Sequence, residues 1–157
     1  MQHVIIDGYN LIHAVPALKR TLLHDAESAR ELLIHSVSML TIRNKFRSTI
    51  VFDGMKQEDS TSHKKSHAPV HVLYSYPLSA DTKINQMIEQ SKSRSQLIIV
   101  TSDREILNFA RTCSCQTHTS RYFTRMLVDN SDTISEKSES SLSPFQIDEW
   151  LKIFGEK

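Results

Sequence analysis

The stretch that decides the fold is HVIIDGYN, residues 3–10. Its apolar run stops at Asp7 and is followed at once by Gly8, with Asn10 two positions further on. A short apolar run without polar alternation is typical of a strand covered on both faces, as in a parallel sheet. Glycine permits a tight exit from such a strand, and ligands of open α/β folds bind at this carboxyl edge. Residues 3–10 therefore predict a first strand and one part of a candidate site.

Further runs of the same kind recur along the chain and alternate with helical patterns, which indicates βαβ units and a mainly parallel sheet. The longest helical pattern begins at a capping Asp25. Ser102 and Glu105 predict a capping box at a later helix, and Thr119 or Ser120 is expected to start a short helix through Leu127. The predicted strands are His3–Asp7, Ser48–Asp53, Val70–Tyr74, Leu97–Thr101 and Cys115–Thr119.

The composition is that of one soluble α/β domain spanning residues 1–157, of which 39% are apolar and 24% charged. Nineteen Lys and Arg against eighteen Asp and Glu give a net charge of +1, so an anionic partner must meet a local basic patch. The first apolar run lacks a basic leader, and no run approaches the ~20 residues that span a bilayer. We therefore expect a cytoplasmic protein with no membrane partner.

Two polar segments interrupt the pattern. Residues 54–68 contain almost no apolar side chain and are predicted to form a mobile loop carrying several lysines. Residues 129–143 are rich in serine and acids and read as a tether. Residues 144–154, with Pro144 at the first helical position, predict a C-terminal helix that docks on the domain by its apolar face.

Aspartates follow the predicted strands in a repeated way. Asp7, Asp53 and Asp103 each stand at or just beyond a strand end, and Asp81 opens the helix after the third strand. Because the carboxyl ends of parallel strands share one edge, these acids are expected to converge there. Gathered carboxylates repel and need a compensating cation, and oxygen ligands favour Mg²⁺ or Mn²⁺. Such a site typically binds phosphate esters.

Each acid alone also has a simpler explanation. An aspartate after a strand often makes only a turn, and Asp103 stands where a helix N-terminus favours an acid. Asp53 is fully explained by the Asp-Gly turn that it forms with Gly54. Four such acids together favour a metal site, in which the amide of Asn10 could turn toward a metal-bound water or a phosphate.

Other side chains are candidates for contacts with a nucleic acid. Lysines and arginines near the edge could neutralise phosphates, an aromatic ring could stack on a base, and a hydroxyl could bind phosphate. For all of them an ordinary surface or packing role is the alternative. The candidates are Lys56, Lys64, Lys65, Lys83, Arg104, Tyr9 and Ser102.

Several motifs occur in the order found in one known family. They are IIDGYN at 5–10, VFDG at 51–54, Ala80-Asp81 before Ile84, and VTSDRE at 100–105. Together with residues 142–154, they make the chain resemble the YacP-like NYN-domain proteins of the PIN-like nuclease group. The resemblance covers nearly the whole chain, and its most specific part is DGYN.

The resemblance implies a three-layer α/β/α PIN-like (NYN) fold and a metal-dependent endoribonuclease that uses Mg²⁺ or Mn²⁺. It implies that Asp7, Asp81 and Asp103 bind the metal, that Asn10 assists them, and that Asp53 lies at the margin. It also implies RNA as the partner, and the small net charge favours RNA presented by a ribonucleoprotein such as the ribosome.

This sequence departs from the family where Thr82 and Lys83 follow Asp81, a place where a further acid is often found. The departure keeps open a PIN-like module that binds RNA or a ribonucleoprotein without cutting it. A haloacid-type phosphatase would need an acid two residues after Asp7, where Tyr9 stands. Three glycines cannot supply the phosphate loop of a nucleotide-cofactor protein.

Overall fold

A five-stranded, fully parallel sheet forms the centre of the computed structural model, which describes residues 1–54 and 67–127. The strand order is β3-β2-β1-β4-β5. The strands are β1 (His3–Asp7), β2 (Arg47–Phe52), β3 (Val70–Tyr74), β4 (Leu97–Val100) and β5 (Gln116–His118). The helices are α1 (Gly8–Ala14), α2 (Pro16–His24), α3 (Ala26–Asn44), α4 (Ala80–Gln90), α5 (Arg104–Thr112) and α6 (120–127), and a single 3₁₀ turn (Arg94–Gln96) precedes β4.

Strand β1 lies at the middle of the sheet and sends its side chains alternately to two apolar layers. Ile6 packs into one core with buried residues of α1, α2, α3 and α6, whereas Ile5 packs into the other with residues of α4 and α5. This alternation follows from the period of two along a strand. The expected three-layer α/β/α fold with a parallel sheet is confirmed.

The start of the chain differs from the sequence pattern between β1 and α3. No helix is predicted there, yet α1 and α2 fill the connection. Neither has a side-chain cap, and Val15 is an extended joint that ends α1 and precedes Pro16 at the start of α2. Helices this short leave no long apolar period, so packing against the sheet stabilises them.

Helix α5 begins one residue later than expected. Asp103, not Ser102, is its N-cap, and its carboxylate accepts from the backbone amides of Glu105 and Ile106 at 2.9 and 3.3 Å. Aspartate satisfies the free amides of a first turn as well as serine does. The capping box predicted on Ser102 is therefore wrong, and an acid of the candidate site also holds a helix end.

Several predicted features lie outside the described residues. They include the tether at 129–143, the terminal helix at 144–154, most of the loop at 54–68, and its three lysines, Lys56, Lys64 and Lys65. The short helix expected from Ser120 is present as α6. Within residues 1–54 and 67–127, no helix combines the length and apolar character that a bilayer crossing requires.

Gly8 allows the first helix to pack closely on the second strand. A methyl group at Gly8 would overlap the ring of Phe52, which is fully buried. We expect Gly8→Ala to destabilise the fold by about 1–3 kcal/mol, although alanine is the better helix former, because the ring has little room to move. Urea denaturation measures this loss.

The control is Gly54→Ala, where the added methyl meets nothing within 4 Å but φ is +88°. The free energy of unfolding of this variant should fall only by the cost of placing alanine in left-handed backbone, about 1–2 kcal/mol. If Phe52→Leu, which shortens the obstructing side chain, makes Gly8→Ala less harmful, the ring contact is the cause. Additive losses in the double variant contradict it.

Candidate active site at the carboxyl edge of the sheet

Three acids reach the same side of the sheet edge from three elements. Asp7 ends β1 on the face that Ile5 shares, Asp81 lies in the first turn of α4, and Asp103 caps α5. The charges of Asp81 and Asp103 both raise the pKa of Asp7, and Asp103 raises the pKa of Asp81. The edge therefore concentrates negative charge, as the strand pattern predicts.

Asp7 is the buried member, with 8% of its surface exposed. Burial, opposed by a hydrogen bond from Thr101 and reinforced by the other two acids, raises the pKa of Asp7 to about 6. Thr101 Oγ1 donates to Asp7 Oδ2 at 3.1 Å and accepts from the backbone amide of Asp103 at the same distance. The fully buried Thr101 hydroxyl thus ties two of the acids together.

Asp81 is exposed at the start of α4. Desolvation by its surroundings raises the pKa of Asp81, and the charges of Asp103 and Asp53 raise it further. The neighbouring Thr82 closes the helix start, since its amide donates to Ser79 Oγ and its hydroxyl lies 2.9 Å from the same atom. Thr82 thus has a local structural role.

Asp53 is used by the fold itself. Its Oδ1 accepts from Ser75 Oγ at 3.2 Å and from the backbone amide of Ala80 at 3.0 Å. Ser75 Oγ in turn accepts from the amide of Gly54. Asp53 thus fixes the end of β2 and the start of α4. Its effect on Asp81 is that of a nearby negative charge, which raises the pKa of Asp81.

Asn10 connects the first helix to two later segments. Its Oδ1 accepts from the backbone amide of Ser102 at 2.8 Å and from Ser120 Oγ at 2.6 Å. Ser120 is fully buried at the start of α6. The Asn10 side chain therefore joins α1, the loop between β4 and α5, and α6.

The candidates for RNA contact are placed unevenly. Lys83 is half-buried in the first turn of α4, and Arg104 and Ser102 are exposed beside Asp103, so all three flank the acids. Tyr9 lies on the other face of the sheet. Its ring centroid is 5.2 Å from that of Phe52, and its hydroxyl accepts from Arg30. Packing accounts for the position of Tyr9, and its contact with a base stays a prediction.

Sequence patterns do not reveal three of the hydroxyl groups that support the site. The position of Thr101 after a strand does not indicate that its hydroxyl donates to Asp7. Ser75 and Ser120 lie far along the chain from Asp53 and Asn10, their partners. A serine near a helix start could have suggested a cap, although not a distant partner.

The donor chemistry of the edge fits a hard divalent cation. Asp7, Asp81 and Asp103 offer carboxylate oxygens, the ligands that Mg²⁺ and Mn²⁺ prefer. The charges of Asp81 and Asp103, which both raise the pKa of Asp7, are negative, so a cation bound among the three acids would compensate them. Within the described ranges, no three His, Cys, Asp or Glu side chains already stand close enough to hold an ion.

The chain is a parallel three-layer α/β/α domain with acids at the carboxyl edge of its sheet. The profile of the YacP-like NYN domain matches residues 4–151, and the chain belongs to that family. NYN domains are generally PIN-like nucleases that act on RNA. No curated protein sequence matches this chain.

Two similar solved structures are crystal structures of Rae1 (YacP) from Bacillus subtilis. A point mutant of that protein is 22% identical, with a TM-score of 0.74 over 98% of this chain and 92% of that chain. The second is 23% identical, with a TM-score of 0.70 over 87% of this chain and 79% of that chain. At this identity the likeness establishes the fold.

The raised pKa of Asp7 predicts how stability changes with pH. In metal-free buffer, the folded state holds the Asp7 proton up to about pH 6, whereas the unfolded chain releases it near 3.8. The stability gained from this proton is complete below pH 4 and is lost as pH rises through 6. Asp7→Asn should therefore be more stable than wild type above pH 6, by at most about 3 kcal/mol, and similar to it below pH 4.

Denaturation of both proteins with chelator present, between pH 4 and 8, measures this difference. Asp25→Asn is the control of opposite sign, because hydrogen bonds from Ser28 lower the pKa of the exposed Asp25. That variant should be less stable than wild type by the same amount at every pH from 4 to 8, because the stability contributed by the Asp25 carboxylate is complete above its unfolded pKa of 3.8 and is lost only below it. Parallel curves for wild type and Asp7→Asn would contradict the burial of an ionisable Asp7.

Proposed function

We propose that this protein is a metal-dependent endoribonuclease that hydrolyses RNA phosphodiester bonds with Mg²⁺ or Mn²⁺. One observation carries the proposal. Asp7, Asp81 and Asp103 come from three elements to one edge of the sheet, where their charges act on one another. Membership of the YacP-like NYN family supports RNA as the substrate class.

The three acids would hold one or two divalent ions. Such an ion supplies a water of lowered pKa as the nucleophile and positive charge for the reacting phosphate. Above about pH 6, the Asp7 carboxylate is ionised and available to it. Thr101 fixes the direction of that carboxylate, and Asp53 holds the start of the helix that carries Asp81.

Basic side chains beside the acids would receive the rest of the strand. Lys83 and Arg104 stand in the first turns of α4 and α5, within two residues of Asp81 and Asp103. They can neutralise phosphates next to the scissile one. Hydrolysis at the phosphorus breaks its bond to the 3′ oxygen and leaves a 5′-phosphate and a 3′-hydroxyl.

The remaining proposed contacts with RNA involve Lys56, Lys64, Lys65, Tyr9 and Ser102. A net charge of +1 provides little general attraction for a polyanion. We therefore propose that a ribonucleoprotein such as the ribosome presents the RNA. A weak local patch then suffices, because the partner raises the effective concentration of the substrate.

One observation favours a second function, an RNA-binding module that does not cut. Among the described residues, the acids are not grouped at ligand distances, and Asp7 is held protonated up to about pH 6. A protein of this kind binds RNA in the presence of chelator and gives no product with any metal.

An RNA cleavage assay separates the two functions. Protein free of host nuclease is incubated with RNA in Mn²⁺, in Mg²⁺ and in chelator, beside the double variant Asp7→Asn/Asp81→Asn. We expect cleavage that requires metal and falls by at least about a hundredfold in the variant, as removal of key electrostatic groups does. Gel analysis of 5′-labelled RNA measures the product and its ends.

The control for that assay is Glu89→Gln, which removes an exposed carboxylate from the last turn of α4, at the opposite end of that helix from Asp81. It should cleave like wild type. Mn²⁺ titration followed by thermal denaturation shows whether the ion binds. Metal binding without cleavage of naked RNA points to a missing partner or substrate, and no binding favours the non-catalytic module.

The lysines at 64 and 65 give a separate prediction. Lys64→Glu/Lys65→Glu should weaken RNA binding. It should also reduce the slope of the logarithm of the binding constant against the logarithm of salt concentration by about 1.4, because two phosphate contacts are lost. Mn²⁺ binding should be unchanged. Fluorescence anisotropy over a range of salt concentrations measures the slope, and an unchanged slope removes both lysines from the RNA-binding surface.

A further inference from the structure

The side-chain amide of Asn10 has a fixed orientation. A backbone amide can only donate, so the atom that faces the Ser102 amide at 2.8 Å must be the carbonyl oxygen of Asn10. The same oxygen accepts from Ser120 Oγ at 2.6 Å. Ser120 is fully buried, which keeps water from competing for this hydrogen bond.

Both acceptor positions of the Asn10 amide are therefore occupied. An amide oxygen has two lone pairs, and here one receives an N–H and the other an O–H. No lone pair remains for a cation. A metal ion could be bound through this oxygen only if one of the two hydrogen bonds broke.

The nitrogen of the same amide is available. In the described part of the chain, Nδ2 of Asn10 has no protein acceptor, and it is not among the buried atoms that lack a partner. It is therefore open to solvent. The structure thus presents two N–H donors from a side chain that cannot turn without losing both hydrogen bonds on its other end.

These donors lie within the acid-lined edge. Asn10 is in the first turn of α1, three residues after Asp7, and its oxygen is bonded to the residue before Asp103. An edge made only of carboxylates repels a phosphodiester. A fixed pair of N–H donors on a side chain next to these carboxylates is complementary to a phosphate oxygen.

We propose that Asn10 binds substrate through Nδ2, which donates to a non-bridging oxygen of an RNA phosphodiester, and that Ser120 is the residue that positions it. The choice of RNA as the ligand rests on the proposed function. The assignment as a donor rests on the two hydrogen bonds at Oδ1. It differs from a role for Asn10 as an oxygen ligand of the metal.

Asn10→Asp distinguishes the two roles. Aspartate has the same shape and keeps an oxygen for the Ser102 and Ser120 donors, but it replaces the amino group with a second oxygen. A donor role predicts that the affinity for a short single-stranded oligouridine, measured by anisotropy in chelator, falls about tenfold. A metal-ligand role predicts unchanged RNA affinity in chelator and tighter Mn²⁺ binding.

Asn108→Asp is the matched control, because it adds the same charge at an exposed position of α5. It should change the affinity for the oligouridine much less than Asn10→Asp does. Equal losses in the two variants would mean that net charge alone is responsible and would overturn the proposal. So would Asn10→Asp protein that binds the oligouridine as wild type does.

Ser120→Ala tests the positioning role. It leaves Asn10 in place but removes one of the hydrogen bonds that orient it, so affinity for the oligouridine should fall about threefold. The control Thr124→Ala removes a hydroxyl from the same helix that donates to the backbone oxygen of Ser120 and not to Asn10. It should bind the oligouridine as wild type does, and matching losses would assign Ser120 to folding alone.

A spectroscopic readout does not depend on cleavage. The ¹⁵N signal of the Asn10 side-chain amide should shift when oligouridine is added in chelator, and Ser120→Ala should reduce the shift. An unmoved signal with RNA bound overturns the proposal. If the signal moves and no metal gives cleavage, the phosphate contact of Asn10 is supported and the proposed nuclease activity is contradicted. If RNA is cleaved and the signal does not move, the nuclease activity is supported and the phosphate contact of Asn10 is contradicted.

Discussion

The hydrogen bond from Thr101 to Asp7 joins the ends of β4 and β1, which are neighbours at the centre of the sheet. Both side chains are buried, and the Thr101 hydroxyl also accepts the backbone amide of Asp103. One hydroxyl thus sets the direction of the buried carboxylate and the start of the loop that carries another acid. Because burying a charge beside like charges is costly, this bond matters most where no cation compensates it.

The two faces of the sheet differ in the side chains that they bring together. On the face of α1, α2 and α3, Gly8 lies against Phe52, and a large apolar core stabilises the fold. On the face of α4 and α5, the helix starts bring Asp81 and Asp103 toward Asp7. Because successive side chains of β1 point to opposite faces of the sheet, Ile6 faces the larger core and Asp7 faces α4 and α5.

Much of this arrangement can be predicted from the sequence. The predicted bounds of β1 and β3 are those observed, and the other strands differ by one residue at one or both ends, because unbroken apolar runs are strong signals. Which aspartates stand at the edge follows from the same strand ends.

The contacts that each acid makes cannot be predicted in this way. Asn10 and Ser120 are 110 positions apart, and no local pattern records such a pair. The short helices α1 and α2 are missed for a related reason, since tertiary packing and not their own sequence stabilises them.

The order of the strands has a consequence for the chain during its synthesis. Asp7 is synthesised 94 positions before its partner Thr101, which directly follows β4, a strand that must pair with β1 on the side away from β2. Contacts of such separation form late because they close a long loop. A nascent chain that ends before β4 holds Asp7 and Asp81 without Asp103 and without the hydroxyls that orient Asp7 and Asn10. The arrangement of acids thus assembles only after β4 and the residues that follow it have been synthesised and have paired with β1.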